Sequence, residues 1–251
     1  MLMSVVSQDD DAALFPELAG ARVLVTGLTP AAGVDVAREF ADRKARLVLQ
    51  TPDETPEITE LAALLAQTAS EITLYAEPVG AGHDAVGFAR IAAQAYGGLD
   101  VAINFVAISA RDLDGIATTA EVEALVSAKL GPALEMTRVI ANRMRLTLGT
   151  GLILNIVVAP AARSGAEVAL IGVLRATLAA MTRAEAEAWA EQAIRINAIA
   201  PRVALPGEQP SGACLTSEPD IAALALHLAS RKGRQLTGHV FDAEGVAARN
   251  C

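Results

Sequence analysis

Short apolar runs alternate along this chain with longer segments of helical periodicity, and this alternation restricts the fold more than any other feature. Strands are predicted at Arg22–Thr26, Arg46–Gln50, Ile72–Ala76, Val101–Asn104, Leu152–Val158, Arg195–Ala200 and His239–Asp242. Helices are predicted at Val34–Lys44, Glu57–Thr68, Ala85–Tyr96, Ala120–Leu146, Val168–Ala190 and Pro219–Ala229. Such an order is typical of βαβ units, so it predicts an α/β fold with one doubly wound parallel sheet of about seven strands.

The length of 251 residues is that of one large α/β domain, and the sequence has no internal repeat or low-complexity linker. We therefore expect a single domain over residues 1–251. Within it, residues 1–16 are expected to form a flexible or peripheral N-terminal segment. The stretch Val203–Ser217, rich in Pro and Gly, is expected to be a mobile loop.

Charge and composition narrow the classes of partner. A net charge of −9 disfavours nucleic acid and anionic membranes, because both require a basic surface. No uninterrupted apolar run approaches the roughly 18–20 residues that span a bilayer. The acidic start of the chain lacks the basic region of a signal peptide, so we expect a cytoplasmic protein. Neither the two cysteines nor the three histidines have metal-ligand spacing, and no metal is expected.

The turn after the first predicted strand carries a family resemblance. Its sequence, Thr-Gly-Leu-Thr-Pro-Ala-Ala-Gly over residues 26–33, resembles the TGxxxGxG turn of the short-chain dehydrogenase/reductase family. Further matching segments follow in the family's order at Leu99–Asn104, Met181–Arg183, Ile194–Pro201 and Leu236–Val240. The resemblance covers roughly residues 17–245 and implies a Rossmann-type fold.

The same turn departs from the family pattern where a dinucleotide would bind. In the family, its glycines let the backbone approach the cofactor pyrophosphate at a helix N-terminus. Here Ala31 replaces the middle glycine between Gly27 and Gly33, and Pro30 before it has no N–H group to donate. We therefore expect a degenerate turn.

Three other segments of the expected cofactor pocket also differ from the family. Thr51 stands where the family usually has a charged residue for the adenosine ribose or its phosphate. Phe105 and Val106 replace smaller or polar residues of the family's Asn-Asn-Ala-Gly, and Arg202 replaces a glycine after a proline. These departures predict that the chain itself binds no cofactor, and that NAD belongs to a partner subunit.

The family's catalytic tetrad is absent from the matching positions. The resemblance aligns its Asn, Ser, Tyr and Lys with Ala128, Val158, Ile171 and Arg175. Hydrocarbon side chains at the first three positions cannot donate, accept or shuttle a proton. The only tyrosines, Tyr75 and Tyr96, are not followed by Lys four residues later, so no Tyr-x-x-x-Lys exists in the chain. We predict no catalytic residues.

A chain that has the family fold and lacks the family's catalytic residues is expected to act as a structural subunit of a larger complex. The resemblance implies a non-catalytic subunit in a heterotetramer with an active paralogue. The complex would be an NAD-dependent dehydrogenase of a hydroxyacyl-CoA such as 2-(hydroxy(phenyl)methyl)succinyl-CoA, from anaerobic toluene degradation. The expected contacts lie on the two long helices and on the segment Pro219–Val246, with Leu134, Leu178 and Trp189 as candidates.

Two other functions remain open at this point. A regulator on the same fold would bind a dinucleotide or metabolite without turnover. An enzyme with relocated chemistry would need a new group of polar side chains, and the sequence shows none near the expected pocket.

Overall fold

The computed structural model describes residues 15–80, 82–147, 149–202 and 214–243. Seven strands are present within these ranges: β1 (Arg22–Thr26), β2 (Arg46–Thr51), β3 (Glu71–Ala76), β4 (Val101–Ala107), β5 (Gly151–Val158), β6 (Ile194–Pro201) and β7 (Val240–Ala243). The helices are α1 (Val34–Asp42), α2 (Pro56–Leu65), α3 (His83–Ala92), α4 (Ala110–Leu113), α5 (Thr119–Leu146), α6 (Gly165–Ala188) and α7 (Glu218–Ala229).

The strands form one sheet in the order β3-β2-β1-β4-β5-β6-β7, and every neighbouring pair is parallel. The predicted doubly wound α/β fold is confirmed. The chain reverses its direction of travel across the sheet between β1 and β4. In this architecture a crevice opens at that reversal, outside the carboxyl ends of the strands.

Helices cover both faces of the sheet. One apolar cluster joins the sheet to α1, α2 and α7 through residues such as Phe40, Ile58 and Ile221. On the other face, two clusters join it to α3, α5 and α6. All eight residues of β5 are buried, which explains why that strand is a continuous apolar run rather than an alternating one.

A chain of buried side-chain hydrogen bonds links the central strands to α5. Thr26 Oγ1 lies 3.0 Å from Asn104 Oδ1, and Asn104 Nδ2 donates to Asn155 Oδ1 at 2.8 Å. Thr137 on α5 completes the chain, with its Oγ1 3.3 Å from Asn155 Nδ2. Buried polar groups without partners would destabilise the sheet, so these bonds hold β1, β4, β5 and α5 in one arrangement.

Some expectations differ from the structure. Phe15 falls within the segment predicted to be peripheral, yet its side chain is buried in the core cluster next to α1. Leu178 was an interface candidate, but it is 1% exposed and packs inside this chain's own core. The helix α4 was not predicted at all. Residues 203–213 of the predicted mobile loop lie outside the described residues.

Helix α6 is long and apolar. Among the described helices, it alone has the length and composition of a membrane span, with a mean hydropathy of 1.4 over its most apolar stretch. Only 33% of that stretch is buried inside the chain. One side of α6 packs on β6 and α5, and the remaining sides leave an apolar surface uncovered.

Candidate functional site

The glycine turn lies at the carboxyl end of β1, where the fold places its crevice. Gly27 and Gly33 have φ values of 70° and 90°, which residues other than glycine rarely adopt. Phe105 packs against both positions. A Cβ on Gly27 would lie 2.3 Å from the Phe105 carbonyl oxygen, and one on Gly33 would lie 3.3 Å from the Phe105 ring. The two glycines therefore make room for Phe105, which is 7% exposed and belongs to the core.

Backbone N–H groups of the turn already have acceptors within the chain. The Gly27 N–H donates to the Gln50 side-chain oxygen at 2.8 Å, and the Leu28 N–H donates to the Gln50 carbonyl at 3.0 Å. Thr29 and Ala32 bond each other through both of their N–H groups, at 2.9 and 3.1 Å. A pyrophosphate would have to displace such bonds to use these donors.

The N-terminus of α1 faces a carboxylate of the same chain. The Asp35 N–H donates to Glu218 Oε1 at 2.9 Å, across 183 residues of sequence. Burial raises the pKa of Glu218 above its usual value, although the N–H groups of Asp35, Gly33 and Val36 lower it in part. Because a helix N-terminus attracts anions, Glu218 supplies there the negative charge that a bound phosphate supplies in other Rossmann-type proteins.

The side chains at the end of β2 also form hydrogen bonds within the chain. Thr51 is buried, and its hydroxyl donates to the Asp53 carbonyl at 3.0 Å. The neighbouring Gln50 donates its amide to the Glu77 carbonyl at 2.7 Å while it accepts from the turn. Neither side chain carries the charge with which the family recognises the adenosine ribose or its phosphate.

Two of the aligned tetrad positions are packed as hydrocarbon. Val158 ends β5 opposite Ala107 of β4, and its side chain is 2% exposed in the cluster beneath α1 and α7. Ile171 is 6% exposed and packs in the cluster beneath α5 and α6. The two side chains thus fill different apolar clusters on opposite faces of the sheet.

The other two tetrad positions, Arg175 and Ala128, are not packed in an apolar cluster: Arg175 is ion-paired and Ala128 is exposed. Arg175 donates to the Pro201 carbonyl at 3.3 Å and forms an ion pair with Asp242 of β7 at 2.5 Å. Its guanidinium is therefore held between the last two strands. Ala128 is exposed on α5, where a methyl group cannot hold a relay water.

Both tyrosines of the chain lie away from these positions. The Tyr96 hydroxyl donates to the Leu47 carbonyl at 3.2 Å and lies 2.9 Å from Thr73 Oγ1. The ring of Tyr75 on β3 packs edge-on against Phe88 of α3. Each phenol is part of the packing near the β3 edge of the sheet.

Sequence reasoning missed a polar cluster after β4. Ser109 and Asp112 form a capping box on α4, and Lys129 pairs with Asp112 Oδ2 at 2.7 Å. Burial raises the pKa of Asp112, but hydrogen bonds from Lys129 and Ser109 outweigh that effect and hold it below its usual value. The Ser-x-x-Asp spacing is a known capping signal and would have predicted α4. The cluster holds a helix start against α5.

Asp100 and Arg163 are charged residues that could be taken for functional groups, but both form ion pairs within the chain. Asp100 before β4 accepts hydrogen bonds from Arg22, including one from Nη2 at 2.6 Å. Arg163 pairs with Asp114 and Glu167, at 2.7 and 2.8 Å. These contacts join β1 to β4 and fasten the start of α6.

The fold and the crevice together define a Rossmann-type α/β protein. A family model described as Enoyl-(Acyl carrier protein) reductase matches residues 31–208. The match spans more than half of the chain, so the chain belongs to this family of short-chain dehydrogenases/reductases. No curated protein sequence matches the chain.

Solved structures show the same fold. A short-chain dehydrogenase from Oenococcus oeni PSU-1 is 23% identical, with a TM-score of 0.70 over 91% of this chain and 96% of that one. The NADH-dependent reductase A1-R', solved in complex with NAD, is 20% identical, with a TM-score of 0.73 over 95% of this chain and 100% of that one. A putative short-chain alcohol dehydrogenase from Sinorhizobium meliloti 1021 is 25% identical, with a TM-score of 0.70 over 90% and 96%.

Proposed function

We propose that this chain is a non-catalytic subunit of a heteromeric NAD-dependent short-chain dehydrogenase, where it stabilises an active paralogue. The observation that carries the proposal is the state of the aligned tetrad. Val158 and Ile171 are packed in apolar clusters, and Arg175 is held in an ion pair with Asp242. A hydride transfer to or from a carbonyl needs a proton donor and acceptor at the reacting oxygen. None of these side chains supplies one.

The occupied turn supports a second part of the proposal, that the chain holds no dinucleotide. NAD is the cofactor that the family fold implies, and the residues of the turn fit its pyrophosphate poorly. N–H groups of Gly27, Thr29 and Ala32 bond within the chain, and Glu218 supplies a negative charge at the start of α1. A second anion at that helix start would meet electrostatic repulsion. NAD is accordingly assigned to the partner subunit.

The exposed face of α6 supports an assembly role. Ala169, Val173, Ala176 and Ala180 are exposed and recur every three or four residues, which places them on one stripe of the helix. Val173 is 42% exposed and is one of four large hydrophobic side chains that are exposed among the described residues. Small residues allow two helices to approach closely, and permanent interfaces resemble a domain core cut in half. The stripe suits the matching helix of a related chain.

The substrate of the complex is proposed from the family resemblance. By that resemblance, the active subunit would oxidise a hydroxyacyl-CoA such as 2-(hydroxy(phenyl)methyl)succinyl-CoA in anaerobic toluene degradation. The proposed complex is cytoplasmic. The active chain would bind both the substrate and NAD, and this chain would supply only the interface.

Co-purification with the active paralogue tests the proposal. Val173→Asp places a charge on the exposed stripe of α6 without disturbing this chain's own core, and a buried unpaired charge opposes association strongly. Ile91→Asp is the matched control, because Ile91 is an exposed aliphatic residue on α3, away from the stripe, with 54% exposure against 42% for Val173. We expect Val173→Asp to abolish co-purification and to lower the partner's thermal stability or turnover, whereas Ile91→Asp leaves both unchanged. A partner that is fully stable and active without this chain would contradict the proposal.

A further inference from the structure

A cavity of about 900 Å³ lies at the opposite edge of the sheet from the crevice. It opens beneath the amino ends of β4, β5 and β6, between the turn that precedes β1 and the segment that follows α7. Three arginines line it: Arg195 on β6, and Arg231 and Arg234 in the segment after α7. No part of the crevice or of the aligned tetrad contributes to this cavity.

Arg195 is held at the cavity by backbone carbonyls. It donates to the Gly233 carbonyl at 2.9 Å and also to the Leu228 carbonyl, so it anchors the last turn of α7. These bonds use one of its two terminal nitrogens. Burial lowers the pKa of Arg195, and the positive charge of Arg234 lowers it further. The charge of Arg234 therefore disfavours the charged form of Arg195, and a bound anion would relieve this repulsion.

No ion pair among the described residues neutralises these three arginines. Elsewhere among the described residues, seven Arg and Lys side chains form ion pairs with carboxylates: Arg22, Arg38, Arg43, Lys129, Arg138, Arg163 and Arg175. Within the described ranges, no carboxylate lies at ion-pair distance from Arg195, Arg231 or Arg234. Three arginines without an ion pair thus line one cavity of a chain whose net charge is −9.

Two carboxylates, Glu17 and Asp100, also line the cavity, and together they do not neutralise its three arginines. Asp100 is already bonded to Arg22 through both of its oxygens. Glu17 accepts from the Arg231 backbone N–H at 3.0 Å, which lowers the pKa of Glu17 and keeps it ionised. Against three guanidinium groups, Glu17 leaves an excess of two positive charges, which equals the charge of a phosphate monoester with the opposite sign.

We propose that this cavity binds the phosphate group of a small metabolite. Guanidinium groups match phosphate oxygens in a two-pronged geometry, and Thr150 and Gln235 add neutral donors to the wall. The volume falls in the range of roughly 300–1,000 Å³ that is typical of small-molecule sites, so it has space for the organic part of the ligand as well. The inference does not depend on the loss of catalysis or on a partner chain.

Calorimetry with inorganic phosphate and inorganic pyrophosphate on the full chain, at low and moderate salt, tests the proposal. We expect saturable binding that Arg234→Gln weakens about tenfold or more, since the substitution removes a charge-assisted hydrogen bond worth about 1.5–3 kcal/mol. Arg234 is exposed, and its loss leaves the anchor of α7 intact. Arg195→Gln should weaken binding further, but it also removes the bonds to α7, so its unfolding curve is measured alongside.

Arg90→Gln is the matched control, because Arg90 is an exposed arginine on α3 with no bearing on the cavity. It should leave the affinity unchanged. Equal weakening by Arg90→Gln and Arg234→Gln would mean that the anions respond only to overall charge, and this would overturn the proposal. The absence of saturable binding of either anion to the unsubstituted chain would overturn it as well. Pyrophosphate bound at the glycine turn would be insensitive to Arg234→Gln, which also counts against the cavity.

Discussion

Replacement of Val158 by Ala and by Ser distinguishes a packed core from an open active site. Both variants remove two methyl groups from a side chain that is 2% exposed. At about 0.8 kcal/mol for each buried carbon, this loss destabilises the fold by about 1.6 kcal/mol, and a residual cavity adds to it. Serine also buries a hydroxyl among the apolar residues beneath α1 and α7, at a further cost of about 1–3 kcal/mol.

Urea unfolding of the isolated chain, followed by circular dichroism, measures the difference between the two variants. With a slope near 3 kcal/mol per molar urea, the serine midpoint should lie about 0.3–1 M below the alanine midpoint. The same pair of substitutions at Val173, which is 42% exposed, is the control. There the free energies of unfolding should agree within about 0.5 kcal/mol, the scale of helix propensity differences.

One result would refute this reasoning. If Val158→Ser and Val158→Ala unfold at the same urea concentration, the serine hydroxyl has reached water or a partner. The end of β5 would then be an open pocket, as in an active enzyme, and the packing argument for lost catalysis would fail.

Three further predictions concern the cofactor, the tetrad and Glu218. Titration calorimetry of the isolated chain should give no dissociation constant for NAD or NADP in the low micromolar range; tight binding would favour a dinucleotide-sensing regulator. The triple variant Val158→Ser, Ile171→Tyr and Arg175→Lys should show little or no turnover with NADH and a carbonyl substrate, because the turn remains occupied; robust turnover would contradict the proposed function. Burial raises the pKa of Glu218 in the folded state above its ordinary 4.5, so the free energy of unfolding should fall as pH rises from that value through the raised pKa. Glu218→Gln should remove this decline in urea titrations between pH 4 and 7, and an unchanged pH profile would show that Glu218 is not the cause.

Local signals in the sequence account for most of the secondary structure. Buried parallel strands such as β5 are continuous apolar runs, so their positions were predicted to within one to three residues of the observed bounds. The four-residue helix α4 was missed because it is too short for a periodic pattern. Its capping pair, Ser109 and Asp112, was the only local signal for it.

The contacts of the candidate site were beyond prediction from the sequence. The Gly27 N–H and Gln50 are 23 residues apart, and the Asp35 N–H and Glu218 are 183 residues apart. Hydrophobic periodicity does not predict which side chain accepts a hydrogen bond from a given N–H group so far away in the sequence. The sequence indicated that the turn had departed from its family, and the structure identified the groups that now occupy it.

The cavity at the amino edge of the sheet could not be predicted from the sequence either. Arg195, Arg231 and Arg234 lie on a strand and on the segment after a helix, and their spacing in the sequence carries no motif. Among the described residues, none of the three has a carboxylate at ion-pair distance, and tertiary packing alone decides this.

The sequence by itself determined the fold class and the absence of a Tyr-x-x-x-Lys pair. The hydrophobic pattern determines which strands and helices form. The absence of Tyr-x-x-x-Lys can be read from the sequence without any alignment to the family. Only the tertiary structure decided what each apolar residue is buried against. Leu178 and Val173 lie on the same apolar helix, yet Leu178 packs in this chain's core and Val173 is exposed. Periodicity records that a face avoids water, whereas the arrangement of neighbouring elements decides whether the chain itself covers that face or leaves it for a partner.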